Sequence, residues 1–129
     1  MVDIKTERIL DNPAIAIDHA GEGELLILMH GIGGNRTNWT EQVKAFSEYF
    51  HVVAWDARGY GKSDDYDGPL DFNDFARDLL RVLDHFGVEK AHISGLSMGG
   101  RISQSFYAMY PERVKTLGLI ATFTGFKNF

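Results

Sequence analysis

Unbroken apolar runs alternate along the chain with segments of helical spacing. The four runs lie at 24–31, 51–59, 90–97 and 114–123. Continuous apolar strands of this length are typical of parallel sheets, because both faces of such a sheet are covered. The segments 1–9 and 14–20 instead alternate apolar and polar residues, and turn residues separate them. That alternation predicts an antiparallel hairpin with one face in water.

Helical spacing fills three of the gaps between the predicted strands. Apolar residues recur there every three or four positions, which places them on one face of a helix. The three sets are Trp39, Val43, Phe46 and Phe50; Phe72, Phe75, Leu79, Val82 and Phe86; and Ile102, Phe106 and Met109. Asp71 and Gly87 flank the second set as an N-terminal cap and a terminating glycine. The order of elements predicts one domain over residues 1–129 of the α/β class, with a mostly parallel sheet, an antiparallel N-terminal hairpin and flanking helices.

Composition and charge narrow the function classes. The chain has no cysteine, which excludes a disulfide framework, a thiolate metal site and a cysteine nucleophile. The net charge is −5 and the basic residues are scattered, so we expect no nucleic-acid partner and no binding to an anionic membrane surface. The apolar runs are too short to span a bilayer, and the N-terminus lacks a signal-peptide pattern. We expect a soluble, cytoplasmic protein without a cofactor.

Glycine-rich loops follow the third, fourth and fifth predicted strands, where open parallel sheets place function. The first loop begins like a dinucleotide loop with Gly31 and Gly33, and Asp56 lies about where a ribose-binding acid belongs. Arg36, however, occupies the position of the third glycine. The second loop ends in Gly-Lys-Ser (61–63) like a phosphate loop, but Asp56 stands where that motif needs its first glycine. A nucleotide-binding α/β domain stays open as an alternative.

The third loop, GLSMG at 95–99, matches the pattern Gly-x-Ser-x-Gly in full. The pattern places Ser97 on a sharp turn from a strand to a helix, and its glycines remove side chains that would collide there. Such a turn presents a nucleophilic hydroxyl to a substrate. The two amides that would stabilise an oxyanion are those of Met98, directly after the serine, and Ile32, in the loop after the third strand. The alternative is that Ser97 only caps the helix.

These motifs and their order resemble the α/β-hydrolase fold. LLILMHGIGG resembles its third strand and oxyanion loop, VVAWDARGYGKSD its segment after the fourth strand, and ISGLSMGG its nucleophile elbow. The local sequences are most similar to enol-lactonase-like esterases. The resemblance implies a serine hydrolase that acts on small carboxylic esters or lactones, with Ser97 as nucleophile. It also implies structural roles for Asp56, Arg58 and Gly59.

The resemblance also predicts that two catalytic residues are missing from this sequence. In the family, the catalytic acid and histidine follow later strands, whereas this sequence ends shortly after its sixth predicted strand. We therefore expect weak activity, or none, from this chain alone. His30 is the candidate for a substitute base, because it follows a strand at the same sheet edge as Ser97. The other histidines are expected to be ordinary packing or surface residues: His19, His51, His85 and His92.

The sixth predicted strand, 114–123, has the composition of a buried central strand but would lie at an edge of the sheet. Its unpaired backbone groups and the apolar surface around it predict a homo-oligomer, formed through this strand or by exchange of elements between chains. A catalytically inactive, self-associating scaffold is therefore a further alternative to the hydrolase.

Overall fold

The structure is a computed structural model that describes residues 2–69 and 71–120. Within these residues, six strands form one sheet in the order β1-β2-β4-β3-β5-β6. The strands are β1 (Lys5–Ile9), β2 (Ile15–Ala20), β3 (Leu25–Met29), β4 (His51–Trp55), β5 (Ala91–Leu96) and β6 (Val114–Ile120). The helices are α1 (Thr40–Phe46), α2 (Phe72–His85) and α3 (Met98–Met109), with 3-10 turns at Arg36–Trp39 and Pro111–Arg113. None of the helices in the described ranges is long and apolar enough to cross a membrane.

The pairing of the strands confirms the predicted sheet. β1 runs antiparallel to β2 and β2 antiparallel to β4, while β3, β4, β5 and β6 run parallel to one another. The carboxyl ends of the parallel strands therefore meet at one edge of the sheet, together with the loops that follow them. This is where the three glycine-rich loops of the sequence come together.

Two clusters of buried side chains cover the two faces of the sheet. On one face, α2 and α3 pack Phe75, Leu79 and Phe106 against strand residues that include Trp55 and Ile93. On the other face, the smaller cluster packs Val43 of α1 against the strand residues Leu28, Val52 and Ala54. Continuous apolar strands are needed because both faces are covered, which explains the unbroken runs.

The sequence pattern predicts the bounds of α2 well and those of α1 less well. α2 begins after Asp71, whose side chain accepts a hydrogen bond from the amide of Asn73 at 2.9 Å, and Gly87 follows its end with φ +67°. The first helix is shorter than its apolar spacing predicts. Its stripe extends beyond the helix into the flanking turns, and Phe46 is 41% exposed.

β6 lies at an edge of the sheet and, in the described part of the chain, pairs with β5 alone. Three of its apolar side chains are exposed although their sequence is that of a buried strand: Leu117 is 37% exposed, Leu119 40% and Ile120 46%. The predicted remainder of this strand, 121–123, lies outside the described residues. An edge strand with exposed apolar residues is a site where another strand can pair.

Candidate active site

Ser97 forms a sharp turn between a strand and a helix. β5 ends at Leu96 and α3 begins at Met98, so a single residue makes the connection. Ser97 has φ 55° and ψ −112°, and among the described residues it alone has a positive φ without being glycine. Such a backbone costs about 1–3 kcal/mol and persists only where the surrounding structure enforces it. Strain of this kind concentrates at functional sites.

The flanking glycines explain how the surroundings enforce the turn. A Cβ on Gly95 would lie 2.2 Å from both the carbonyl carbon and the oxygen of Gly99. A Cβ on Gly99 would lie 2.4 Å from the carbonyl oxygen of Met29, at the end of β3. The start of α3 is therefore pressed against the ends of both β5 and β3. Both positions require glycine.

The hydroxyl of Ser97 does not cap the helix. Asp71 shows what a side-chain cap looks like in this protein, whereas Ser97 makes no side-chain capping hydrogen bond to α3. Its backbone is held instead, because its amide donates to the carbonyl of Ile120 at 3.0 Å and its carbonyl accepts from the amide of Arg101 at 3.1 Å. The geometry therefore gives no support to the interpretation of Ser97 as a helix cap.

The loop after β3 passes directly beside Ser97. A tight turn closes this loop, with the amide of Gly34 donating to the carbonyl of Gly31 at 3.1 Å and Gly33 at φ +80°. A Cβ on Gly31 would lie 3.2 Å from the Cβ and 3.8 Å from the Oγ of Ser97. Ile32 follows at once, and its side chain is 80% exposed. The backbone of this loop, rather than the Ile32 side chain, is thus the part held close to the serine.

His30 is fully buried and holds this loop in place. Its Nε2 accepts a hydrogen bond from the amide of Ala57 at 3.1 Å, and its Nδ1 lies 2.8 Å from the carbonyl oxygen of Gly31. A backbone amide can only donate, so Nε2 carries no proton and Nδ1 donates to Gly31. Burial lowers the pKa of His30, although the Gly31 carbonyl and the charge of Asp56 act in the opposite direction. Both ring nitrogens are occupied, so this geometry does not fit the predicted role of a substitute base for Ser97.

Asp56 is buried at the centre of a polar network. Its carboxylate accepts from the amide of Arg36 at 2.7 Å, from Nη1 of Arg36 at 2.8 Å and from the amide of Lys62 at 2.8 Å. A Cβ on Gly61 would lie 2.3 Å from this carboxylate. Asp56 is therefore not available to a ribose hydroxyl. The amide of Lys62 is likewise committed to a carboxylate, which argues against both nucleotide-binding interpretations of the glycine loops.

Arg36 is the residue at this site that the sequence pattern did not single out for a role. Its Nε donates to Asp18 on β2 at 2.9 Å, so one guanidinium joins β2 to the loop after β4. The hydrogen bonds to Asp18 and Asp56 raise the pKa of Arg36 even though burial opposes its charge. In sequence, the one signal was a charged residue in place of the third glycine of the dinucleotide motif.

Arg58 ties the loop after β4 to α2. Its Nε and Nη2 donate to the two carboxylate oxygens of Asp78 at 2.6 and 2.8 Å. Two-point pairs of this kind fix orientation as well as distance. Gly59 follows with φ +83°, where a Cβ would lie 2.9 Å from the ring of Tyr66. These contacts agree with the structural roles that the resemblance implies for Asp56, Arg58 and Gly59.

The other histidines have partners elsewhere. Nδ1 of His19 lies 2.9 Å from Nε2 of His51, His85 lies 2.7 Å from Glu7, and His92 lies 2.8 Å from Glu24. Within the described residues, no histidine makes a hydrogen bond to Ser97. A surface cavity of about 420 Å³ lies at the amino ends of the parallel strands, away from Ser97, and is lined in part by His19 and His51. Among these same residues, no group of His, Asp and Glu side chains is arranged to hold a metal ion.

A profile of the α/β-hydrolase fold family matches residues 24–128. The match covers most of the chain, so this chain belongs to the α/β-hydrolase fold family. The resemblance predicted from the strand order, the glycine loops and the serine turn is confirmed.

Similar proteins include several hydrolases. A putative carbamate hydrolase, RutD, of Azorhizobium caulinodans is 37% identical over 100 residues, which are 78% of this chain and 38% of that protein. The 3-oxoadipate enol-lactonase 2 of Acinetobacter baylyi is 31% identical over 103 residues, covering 77% of this chain and 39% of that protein. Among solved structures, the 2-hydroxy-6-oxo-6-phenylhexa-2,4-dienoate hydrolase of Rhodococcus sp. strain RHA1 has a TM-score of 0.90 at 28% identity, covering 100% of this chain and 50% of that one. The chain thus spans half or less of the length of these relatives.

Proposed function

We propose that this chain carries the nucleophile and the oxyanion-binding half of a serine hydrolase acting on carboxylic esters or lactones. The observation that carries the proposal is the strained backbone of Ser97, at φ 55° between β5 and α3, with Gly31 packed against its side chain. The lactonase among the relatives supports the ester or lactone class. Because this chain covers half or less of its relatives, the activity of the whole protein is part of the proposal.

The chemistry follows from this placement. The Oγ of Ser97 attacks the carbonyl carbon of the ester, its proton passes to a base, and the carbonyl oxygen becomes an oxyanion. The amides of Met98 and Ile32 donate to that oxyanion, which is the largest electrostatic contribution in reactions of this type. The tetrahedral intermediate then collapses, the base returns the proton to the departing oxygen so that the alcohol leaves, and water hydrolyses the acyl-serine to the carboxylic acid and the free Ser97 hydroxyl. In a lactone the alcohol stays attached to the acyl group.

The described histidines are hydrogen-bonded to groups other than the Ser97 hydroxyl, and we expect a low rate from this arrangement. Without a base, an assembled oxyanion hole and substrate binding leave about 10³–10⁴-fold catalysis over water. We therefore expect slow turnover of an activated ester such as p-nitrophenyl acetate. A base supplied from outside the described residues would raise that rate.

Covalent labelling with a fluorophosphonate tests the nucleophile without requiring turnover. We expect the unchanged protein to be labelled at Ser97 and Ser97→Ala to be unlabelled. Ser105→Ala is the matched control, because it removes a serine hydroxyl from the same helix, two turns further along. Equal labelling and equal ester hydrolysis in Ser97→Ala and the unchanged protein would remove this serine from the mechanism.

A second candidate function is an inactive, self-associating scaffold. The exposed apolar residues of the β6 edge favour it, as does the commitment of His30 to the backbone. Absence of label at Ser97, together with a stable oligomer in light scattering, would support the scaffold over the hydrolase. Labelling at Ser97 would favour the hydrolase whatever the oligomeric state.

A further inference from the structure

Tyr60 lies between the two loops that would supply the oxyanion donors. It belongs to the loop after β4 and is partly buried against the main apolar cluster. Its ring centroid is 5.0 Å from that of His30, with the rings tilted at 60°. Its hydroxyl donates to the sulfur of Met98 at 3.6 Å. A single side chain therefore contacts both the residue that holds the loop after β3 and the first residue of α3.

The backbone around Tyr60 makes it a fixed support. Its amide donates to the carbonyl of Ala57 at 2.9 Å, and its carbonyl accepts from the amide of Ser63 at 3.1 Å. The amide of Ala57 in turn donates to His30. The loop after β4 is thus connected to the loop after β3 both through the Ala57 amide, which bonds to the His30 ring, and through the contact between the Tyr60 and His30 rings.

We propose that Tyr60 is a positioning residue that sets the separation between the amides of Ile32 and Met98. This inference rests on the proposed function, in which these two amides bind the oxyanion. Tyr60 contacts the ring of His30, and that ring is hydrogen-bonded to the carbonyl of Gly31, the residue directly before Ile32. Tyr60 also contacts Met98 directly, through the thioether sulfur.

The two contacts differ in strength. The thioether is a weak hydrogen-bond acceptor on a flexible side chain, so the hydroxyl contributes less than the ring. The ring lies against His30 and the hydroxyl against the sulfur of Met98, so removal of the whole side chain takes away both contacts. A misplacement of about 1 Å at a reacting centre costs about 10²-fold in rate. Tyr60→Phe should therefore keep most of the positioning, and Tyr60→Leu should lose it.

The chain offers a matched control in Tyr110. It is also partly buried against the main apolar cluster, and its ring lies 5.3 Å from that of Phe106, at the far end of α3. Tyr110→Leu therefore removes a comparable aromatic contact without touching the loops beside Ser97. Thermal unfolding of each variant shows whether the two leucine substitutions destabilise the protein to a similar extent.

The first measurement is an ¹H–¹⁵N NMR spectrum, which reports on the amides whether or not the protein is active. Tyr60→Leu should shift the signals of both Ile32 and Met98, Tyr60→Phe chiefly that of Met98, and Tyr110→Leu neither. Unmoved signals in Tyr60→Leu, or equal shifts in Tyr110→Leu, would overturn the positioning role even if Ser97 proves inert.

The second measurement is the second-order rate of fluorophosphonate labelling at Ser97. Tyr60→Leu should lower this rate at least about tenfold, and Tyr60→Phe by less than about threefold, with Tyr110→Leu unchanged. Equal rates for both leucine variants would contradict a link between Tyr60 and the oxyanion site. Failure to label the unchanged protein would count against the proposed function, while the amide shifts would still decide the positioning role.

Discussion

The substitution Gly99→Ala has two opposite effects on the free energy of unfolding. Gly99 lies in the first turn of α3, and replacing a helical glycine by alanine ordinarily stabilises a protein by about 0.5–1 kcal/mol. Here the new Cβ would lie 2.4 Å from the carbonyl oxygen of Met29, 2.8 Å from its carbonyl carbon and 2.9 Å from the carbonyl oxygen of His30. All three are backbone atoms, so no side chain can rotate away.

The magnitude follows from the overlap. Ordinary contact begins near 3.4 Å, so the start of α3 and the end of β3 would have to separate by about 1 Å. Forcing extra atoms into a packed site costs about 1–3 kcal/mol, and the clash with the backbone of two residues places this site at the upper end. The clash, at about 3 kcal/mol, outweighs the helical preference of about 0.5–1 kcal/mol, and we expect a net loss of about 2 kcal/mol.

Urea unfolding measures this difference directly. Ser105→Ala, further along the same helix, is the control for helical preference alone and should leave the free energy of unfolding unchanged or slightly higher. For a chain of this length, a loss of about 2 kcal/mol corresponds to about 6–10 °C in Tm. A Gly99→Ala variant at least as stable as the unchanged protein would refute the close packing of α3 on β3.

Three further predictions concern acid stability, the buried network and association. Burial lowers the pKa of His30 and, with the charge of a neighbouring histidine, that of His51, so the unfolded chain binds protons near pH 6.5 more readily than the folded one. The free energy of unfolding should therefore have its full value above about pH 6.5 and decrease as the pH falls below it. Equal free energies from urea titrations at about pH 8 and about pH 5.5 would contradict this. Arg36→Met removes the guanidinium that pairs with two buried carboxylates and should cost about 3–5 kcal/mol, whereas Arg77→Met, at an exposed pair, should cost less than about 1 kcal/mol; similar losses would argue against the network. The exposed β6 edge should produce oligomers in light scattering that Leu119→Lys shifts toward monomer, and a clean monomer of the unchanged protein at micromolar concentration would count against association through β6.

The elements predicted best are those whose signal is local in sequence. The turn at Ser97 is signalled within five consecutive residues, since a Cβ on Gly95 would meet the backbone of Gly99. α2 is specified by its apolar spacing, its cap at Asp71 and the glycine after it. Local signals of this kind do not depend on which strands are neighbours.

The features that could not be predicted depend on neighbours distant in sequence. Arg36 reaches Asp18 and Asp56 because β2 and the strands of the parallel sheet lie side by side, an order that no local pattern specifies. Tyr60 and Met98 are 38 positions apart and meet because two loops follow parallel strands. The first helix is shorter than its apolar stripe because a 3-10 turn precedes it and the chain leaves it early to enter β4.

In the loop beside Ser97, the backbone of one residue is held in place while its side chain is exposed. The backbone of Ile32 is held by the turn from Gly31 to Gly34 and by His30, yet its side chain is 80% exposed. Substitutions at exposed positions away from caps and networks usually change stability by no more than about 0.5 kcal/mol. If the proposed function holds, a saturation library at position 32 would vary the chemistry offered to an incoming acyl group while the scaffold beneath it keeps its shape, which makes this position the starting point for redesigning selectivity.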